Sequence, residues 1–250
     1  MFELNAPKGL GDAIYLRAVV LHLLALGERV KVYTPWPDVF VGLPIEIAPP
    51  AASGSSDWNL HSVTACLHCE VPLIRAMDKF TLACAQAGIA ERIELKINWV
   101  TRNTGLVENI KRRAAGRRVM IYQTVKRARN PVQEMWQPHR AAFNRFVAGQ
   151  KDCFRVKLGH PDFTVTDESA ECEIDLAGKV SVTDVFDIAS AAALIFGEDC
   201  FLPVLAQAMD RPFVCMFSSR GLNSNQRKIF CLTPERAFNK PHLGTAIFDE

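Results

Sequence analysis

A strand, a glycine turn, a long apolar helix and a second strand open this sequence, and few folds accept that order. Phe2–Asn5 reads as a short strand and Lys8-Gly9-Leu10-Gly11-Asp12 as a glycine-rich turn. Ala13–Leu26 reads as a helix with Ile14, Val19, Leu21, Leu23, Leu24 and Leu26 apolar, stopped by Gly27 just past its end. Arg29–Tyr33 is a β-branched strand that closes on Thr34-Pro35-Trp36-Pro37. Two strands joined through a helix pair in parallel, so the pattern predicts the start of a parallel α/β unit.

The alternation continues. Pro49–Ser56 has loop composition and Leu60–Leu67 can form a strand. Pro72–Ala87 carries Leu73, Ile74, Met77, Phe80 and Cys84 at helical spacing, ended by Gly88. Arg118–Thr124 is apolar enough (Val119, Met120, Ile121, Tyr122) for a buried parallel strand. Pro131–Gly149 holds a helix with Trp136, Phe143 and Phe146, followed by a strand over Cys153–Leu158. Ser181–Ala193 is a helix with Ser181 or Thr183 as cap, and Leu194–Gly197 is a short strand. After the Glu198-Asp199-Cys200 turn comes a helix over Phe201–Met209, with Pro203 in its first turn, then a strand over Phe213–Phe217. The expectation is two stacked α/β halves divided near Gly105–Gly116, residues 1–108 and residues 109–250.

Composition sets outer limits. A chain of 250 residues has room for one large domain or two small ones, and 49% hydrophobic with 22% charged residues excludes disorder as its main content. A balance of 29 Lys plus Arg against 27 Asp plus Glu is too even to mark a polyanion binder by net charge. Eight cysteines are too few for a disulfide scaffold. One Cys-x-x-Cys spacing, Cys66–Cys69, lies near His61 and His68 but lacks a second ligand pair, so small core cysteines and no metal site are expected. The chain shows no basic start followed by an apolar core, and its greasiest stretch, Ala18–Leu26, is half a membrane span and contains His22. A cytoplasmic protein with reduced thiols is the expectation.

Charge is concentrated in one place. Lys111, Arg112, Arg113, Arg117, Arg118, Lys126, Arg127 and Arg129 flank the Arg118–Thr124 strand. Ligand crevices of open α/β sheets lie at strand carboxyl ends, so Lys126, Arg127 and Arg129 are candidate phosphate contacts, the alternative being a solvated face. Lys111–Arg118 reads as a solvated helix face or hinge. Asp12 stands where the first glycine turn meets its helix, either as an N-cap or as a site carboxylate. Gly9 and Gly11 permit close backbone approach there.

These segments resemble a known family. Gly9-Leu10-Gly11-Asp12, the helix after it and Val30-Lys31-Val32-Tyr33-Thr34-Pro35 are similar to the opening of the bacterial heptosyltransferases, glycosyltransferase family 9. Met120–Thr124 with Pro131 and Trp136 resembles the first strand and helix of that family's second half. Leu176–Ser181, Leu194–Asp199 and the run Val204–Phe217, with Arg211-Pro212 before its final strand, resemble the donor-site segment. The chain departs from the pattern in length, being shorter, and at the phosphate-facing turn. Asp-Thr-Gly is Asp199-Cys200-Phe201 here, and Pro203 stands in place of a usual His.

The resemblance implies a GT-B fold, two Rossmann-like α/β domains with mainly parallel sheets facing across a cleft. It also implies inverting, metal-independent sugar transfer from a nucleotide-diphosphate donor to an acceptor hydroxyl, the nucleotide-sugar being a co-substrate with no other cofactor. It assigns Asp12 the role of base and Gly9 and Gly11 the acceptor-side turn. Thr124, Lys126, Arg127, Arg129, Asp162, Asp199 and Cys200 become donor-binding candidates, with Asp199 alternatively capping the Phe201 helix. The partners expected are a nucleotide-sugar and a saccharide or lipid-linked saccharide. Two further readings share the fold: a phage-type enzyme that glycosylates modified bases in DNA, its basic Lys111–Arg129 segment on the duplex backbone, and a non-catalytic nucleotide-sugar binder. A classical dehydrogenase is not expected, because Gly9-Leu10-Gly11-Asp12-Ala13-Ile14-Tyr15 lacks the third glycine of the dinucleotide fingerprint.

Overall fold

The computed structural model describes residues 1–6, 9–50, 79–123, 137–159, 172–198, 200–217 and 238–248. The first strand, β1 (Phe2–Asn5), leads into helix α1 (Leu10–Ala25) and strand β2 (Val30–Tyr33), as the opening pattern predicts. A single 3₁₀ turn over Pro37–Phe40 and strand β3 (Glu46–Ala48) complete a three-stranded parallel sheet in the order β1-β2-β3. The described part of the Pro72–Ala87 helix is α2 (Lys79–Gln86); the Leu60–Leu67 strand lies outside the described residues.

Helix α3 (Thr104–Ala114) then feeds strand β4 (Arg118–Gln123). Helix α4 (Gln137–Gly149), strands β5 (Cys153–Lys157) and β6 (Ile174–Asp175), helix α5 (Val182–Ala191), strand β7 (Leu194–Glu198), helix α6 (Phe201–Ala208) and strands β8 (Phe213–Phe217) and β9 (Gly244–Phe248) follow. The second sheet runs β6-β5-β4-β7-β8-β9, with every pairing parallel. Strands β2 and β8 therefore belong to different sheets. A cut between residues 108 and 109 would divide α3, which packs against α5 and β4 and so goes with the larger sheet.

Helix α1 starts three residues before Ala13, so Leu10-Gly11-Asp12 is its first turn rather than a loop. The N-cap is Gly9, with φ −75° and ψ 131° and no side-chain cap bond, so Asp12 is the third helical residue and not the cap. The other end follows the expectation. Gly27 has φ 80°, its N–H donates to the Leu24 carbonyl, and the Glu28 N–H donates to that of Leu23. Those bonds form the glycine-closed motif that satisfies the last carbonyls of a helix.

α1 is apolar nearly all round because it is covered on several sides. Ala13, Ile14, Leu16, Val19, Val20 and Leu23 are buried. The helix packs against α2 on one side and α6 on another. One apolar core runs from Leu4 and Val32 through α1 to Leu202 and Leu205 of α6 and Ile121 of β4, joining the two sheets. A second cluster, Tyr122, Phe143, Val147 and Phe196, fills the space between α4 and the larger sheet.

Candidate functional site

The Asp12 carboxylate sits at the start of α1 and is only 9% exposed. It folds back over the cap: a Cβ built on Gly9 would lie 2.7 Å from Asp12 Oδ2 and 3.2 Å from its Cγ. Any side chain at position 9 would push the Asp12 carboxylate aside, while the backbone angles there suit any residue. One residue on, a Cβ on Gly11 would meet Phe201 Cα at 3.4 Å and Val204 Cγ2 at 3.6 Å. The first turn of α1 thus packs against the first turn of α6 at ordinary contact distance.

The first turn of α6 is built by small contacts of the same kind. Its N-cap is Cys200, with no side-chain cap bond, and Pro203 is its third residue. Gly197 of β7 makes room for it, since a Cβ there would touch Cys200 Sγ at 3.3 Å and Pro203 Cδ at 3.4 Å. The N–H groups of a helix's first turn have no partner inside the helix and point outward as an anion-binding array. Proline at the third position costs the helix nothing but removes one donor from that array.

Gln123, the last residue of β4, pairs with Gly197, and Gly159, two residues past β5, lies with its Cβ position 3.8 Å from Gln123 Cγ. The carboxyl ends of β4, β5 and β7 therefore gather beside the α6 turn. Gly9, Gly11 and Asp12 thus lie at the start of α1 where it meets the first turn of α6, whose N-cap is Cys200. Thr124, Lys126, Arg127, Arg129, Asp162 and Asp199 lie outside the described residues, as do Cys66, Cys69, His61 and His68. Among the described residues no group of three His, Cys, Asp or Glu could hold a metal ion. Cys84, Cys153 and Cys215 are buried thiols, and Cys172 and Cys200 are half-buried ones.

Other ionisable groups serve the scaffold. Lys111, Arg112 and Arg113 form the exposed last turn of α3, the solvated face expected of them. Arg117 turns back to the Cys153 carbonyl and pairs with Glu173 at 2.8 Å. Burial raises the Tyr122 hydroxyl well above its usual range, and the neighbouring Cys172 thiol adds to the shift. A cavity of ≈ 240 Å³ opens between Phe80, Ile93, Leu95, Arg92 and Lys240, but the Lys240 ammonium is already paired with Glu94 at 3.1 Å and with Asp210.

Sequence reasoning missed a trio at the junction. Arg17 of α1 and Asp187 of α5 are 3% and 0% exposed, and Trp99 lies between them. The one visible signal was Arg17, a charge in the middle of a largely apolar helix.

Parallel α/β units in two sheets, with an acidic residue at the first helix start beside the N-terminus of a second helix, define a Rossmann-like two-sheet protein. Neither a protein-family model nor a curated protein matches the sequence. Solved structures do match. The family 9 glycosyltransferase of Veillonella parvula is 14% identical, with 99% of this chain and 84% of that one covered at a TM-score of 0.58. E. coli ADP-heptose LPS heptosyltransferase II is 16% identical over 99% of this chain and 90% of its own, with a TM-score of 0.53. The iron-containing dodecameric glycosyltransferase TibC of enterotoxigenic E. coli is 12% identical over 86% of this chain and 57% of its own, at 0.50. At such identities the likeness defines the fold: this chain has the GT-B-like architecture that its resemblance to family 9 implies.

Proposed function

We propose that the chain is a glycosyltransferase that moves a sugar from a nucleoside-diphosphate donor to an acceptor hydroxyl with inversion. One observation carries the reading. A carboxylate more than nine-tenths buried, Asp12, stands at the start of one helix where it meets the N-terminus of another. Inverting transfer needs those two functions close together, a base for the acceptor and dipolar or cationic groups for the leaving diphosphate.

In this scheme the acceptor hydroxyl gives its proton to Asp12 as its oxygen bonds to the anomeric carbon. The bond from that carbon to the diphosphate breaks, and the diphosphate leaves with the electron pair. The first-turn N–H groups of α6 face the developing charge, and Lys126, Arg127 or Arg129 supplies the cation that Pro203 cannot replace with an N–H. Those cations make a resident metal unnecessary; TibC, whose name records iron, makes metal analysis of the purified protein the direct check. The donor base to try first is adenine, because the neighbouring heptosyltransferase II is named for ADP-heptose. A saccharide or lipid-linked saccharide is the acceptor class and the cytoplasm the setting. No helix among the described residues is long and apolar enough to cross a membrane. The division between acceptor and donor units falls in the extended segment before Thr104, so that α3 stays whole.

The test is a thermal-shift scan of ADP-, UDP- and GDP-sugars, followed by assay of free nucleoside diphosphate with saccharide and with modified-DNA acceptors. A donor at a hundred times its Kd stabilises by about 2.7 kcal/mol. Asp12→Asn should keep donor affinity within a few-fold and lose about 10²–10⁴ in turnover. No stabilisation by any nucleotide-sugar, or an Asp12→Asn variant with near-normal turnover, overturns the proposal.

A further inference from the structure

Arg17 is a buried cation whose hydrogen bonds, among the described residues, all go to carbonyl oxygens. Its Nε donates to Ile97 O at 3.0 Å, and its Nη1 to Val39 O at 2.6 Å and Val41 O at 3.2 Å. Burial, and then the nearby Arg102, lower its guanidinium to about 10, which leaves it charged at neutral pH. Asp187 is a buried carboxylate whose described partners are also not cations: Trp99 Nε1 donates to it at 2.7 Å, and the backbone N–H groups of Arg102 and Asn103 at 3.1 and 2.7 Å. The two charges are joined through one indole. Arg17 Cζ stands 5.2 Å from the Trp99 ring centroid, and the N–H at the edge of the same ring donates to Asp187. A carboxylate pulling on the indole N–H enriches the ring face in electron density, which strengthens its hold on a cation. The three groups should therefore act as a unit.

The fastening is uneven. The segment from Trp99 to Asn103 is laced to α5 at several points: Thr101 to Ser190 at 3.2 Å, Asn103 to Asp184 at 2.8 Å, the bonds to Asp187, and Trp99 edge-on to Phe186 at 4.8 Å. On the α1 side, Arg17 hydrogen-bonds Ile97, two residues before this segment, and covers the Trp99 ring. We infer that Arg17 is a positioning residue: acting through Trp99 and Asp187, it fixes α1 against α5 and so sets where the Asp12 end of α1 stands against the first turn of α6. Its catalytic meaning rests on the glycosyltransferase reading; the placement itself does not.

The test uses the full chain and hydrogen exchange, which reads local opening amide by amide. Trp99→Phe keeps an apolar ring but loses the N–H; Arg17→Met loses the cation; Arg17→Lys keeps it. Exchange at Ala13–Leu16 should rise about tenfold or more in Trp99→Phe and Arg17→Met, with Arg17→Lys in between. The β5 amides of Phe154 and Val156 should exchange at parental rates. The Arg17→Met/Trp99→Phe double variant should exchange no faster than the worse single one. If Arg17→Met does not fold, Trp99→Phe gives the same reading. Equal acceleration in β5, or none at Ala13–Leu16, overturns the inference. With a donor in hand, Trp99→Phe should lower kcat about tenfold and leave donor Kd within twofold; an unchanged kcat also overturns the positioning role. A normal exchange response in a protein that binds no nucleotide-sugar supports the placement and sinks the glycosyltransferase reading alone.

Discussion

At the scale of single residues, the site depends on side chains that are absent. Gly9 has backbone angles any residue can adopt, so alanine there carries no conformational penalty. What it would add is a methyl group 2.7 Å from Asp12 Oδ2, and the flexible end of the carboxylate must move away. Gly9→Ala should therefore leave the melting temperature nearly unchanged and cut turnover by about tenfold to a hundredfold, as a displacement on the order of 1 Å does. Turnover and a thermal melt on the same preparation check this; equal turnover in both proteins would mean the carboxylate position is irrelevant. Asp12 and its glycines were legible in the sequence as a group. The exact role of Gly9 was not, because glycine before a helix usually signals a turn, and only coordinates show a carboxylate folded over it.

At the scale of elements, two joints carry measurable energy. Ser181 caps α5 in a reciprocal box: its hydroxyl accepts from the Asp184 N–H at 3.1 Å while Asp184 Oδ2 accepts from the Ser181 N–H at 3.0 Å. Ser181→Ala should cost about 1 kcal/mol in a denaturant titration, with no change in slope. The two-residue strand β6 is held beside β5 by Glu173, which accepts from the Arg155 N–H at 2.7 Å and pairs with Arg117 and Arg155. Burial opposes its ionisation, but those bonds outweigh it and hold the carboxyl below the usual glutamate range. A carboxyl depressed in the folded state stabilises at pH above its unfolded value, about 4.3, and that contribution is lost as pH falls through the folded value. Glu173→Gln should thus destabilise by about 1–3 kcal/mol at pH 7, and the gap to the parent should close below about pH 4. Urea midpoints across that range read it; a gap constant with pH would show that the charge is immaterial.

The element boundaries show what periodicity reveals. β4, β5, β7 and β8 were legible because buried parallel strands are short apolar runs between turns. β3 was not: Glu46-Ile47-Ala48 is an edge strand with two of its three residues exposed and no run to read. β6 and β9 are edges as well. α3 was expected only from its basic end, since its cap, Asn103, and first turn, Thr104-Gly105, look like a loop until the Leu106 N–H is seen donating to the Asn103 side chain at 3.1 Å.

At the scale of the whole molecule, the two sheets share one core through α1 and α6. Neither sheet should melt alone. Calorimetry should give a single transition whose van't Hoff and calorimetric enthalpies agree, and two resolved transitions would contradict the shared core. This union is the part of the fold the sequence hides best. Trp99 and Asp187 are 88 positions apart, and no spacing rule links either of them to Arg17.

The packing of α1 on α6 also sets an order of events at the ribosome. α1 emerges well before the helix that covers it, which is encoded close to two hundred codons later. Until Phe201–Ala208 has been made, the face of α1 around Gly11 has no native cover, and the short parallel sheet beside it has no hairpin through which to form early. Nascent chains stalled before α6 should bind chaperones through the α1 segment and release them once α6 is out of the exit tunnel.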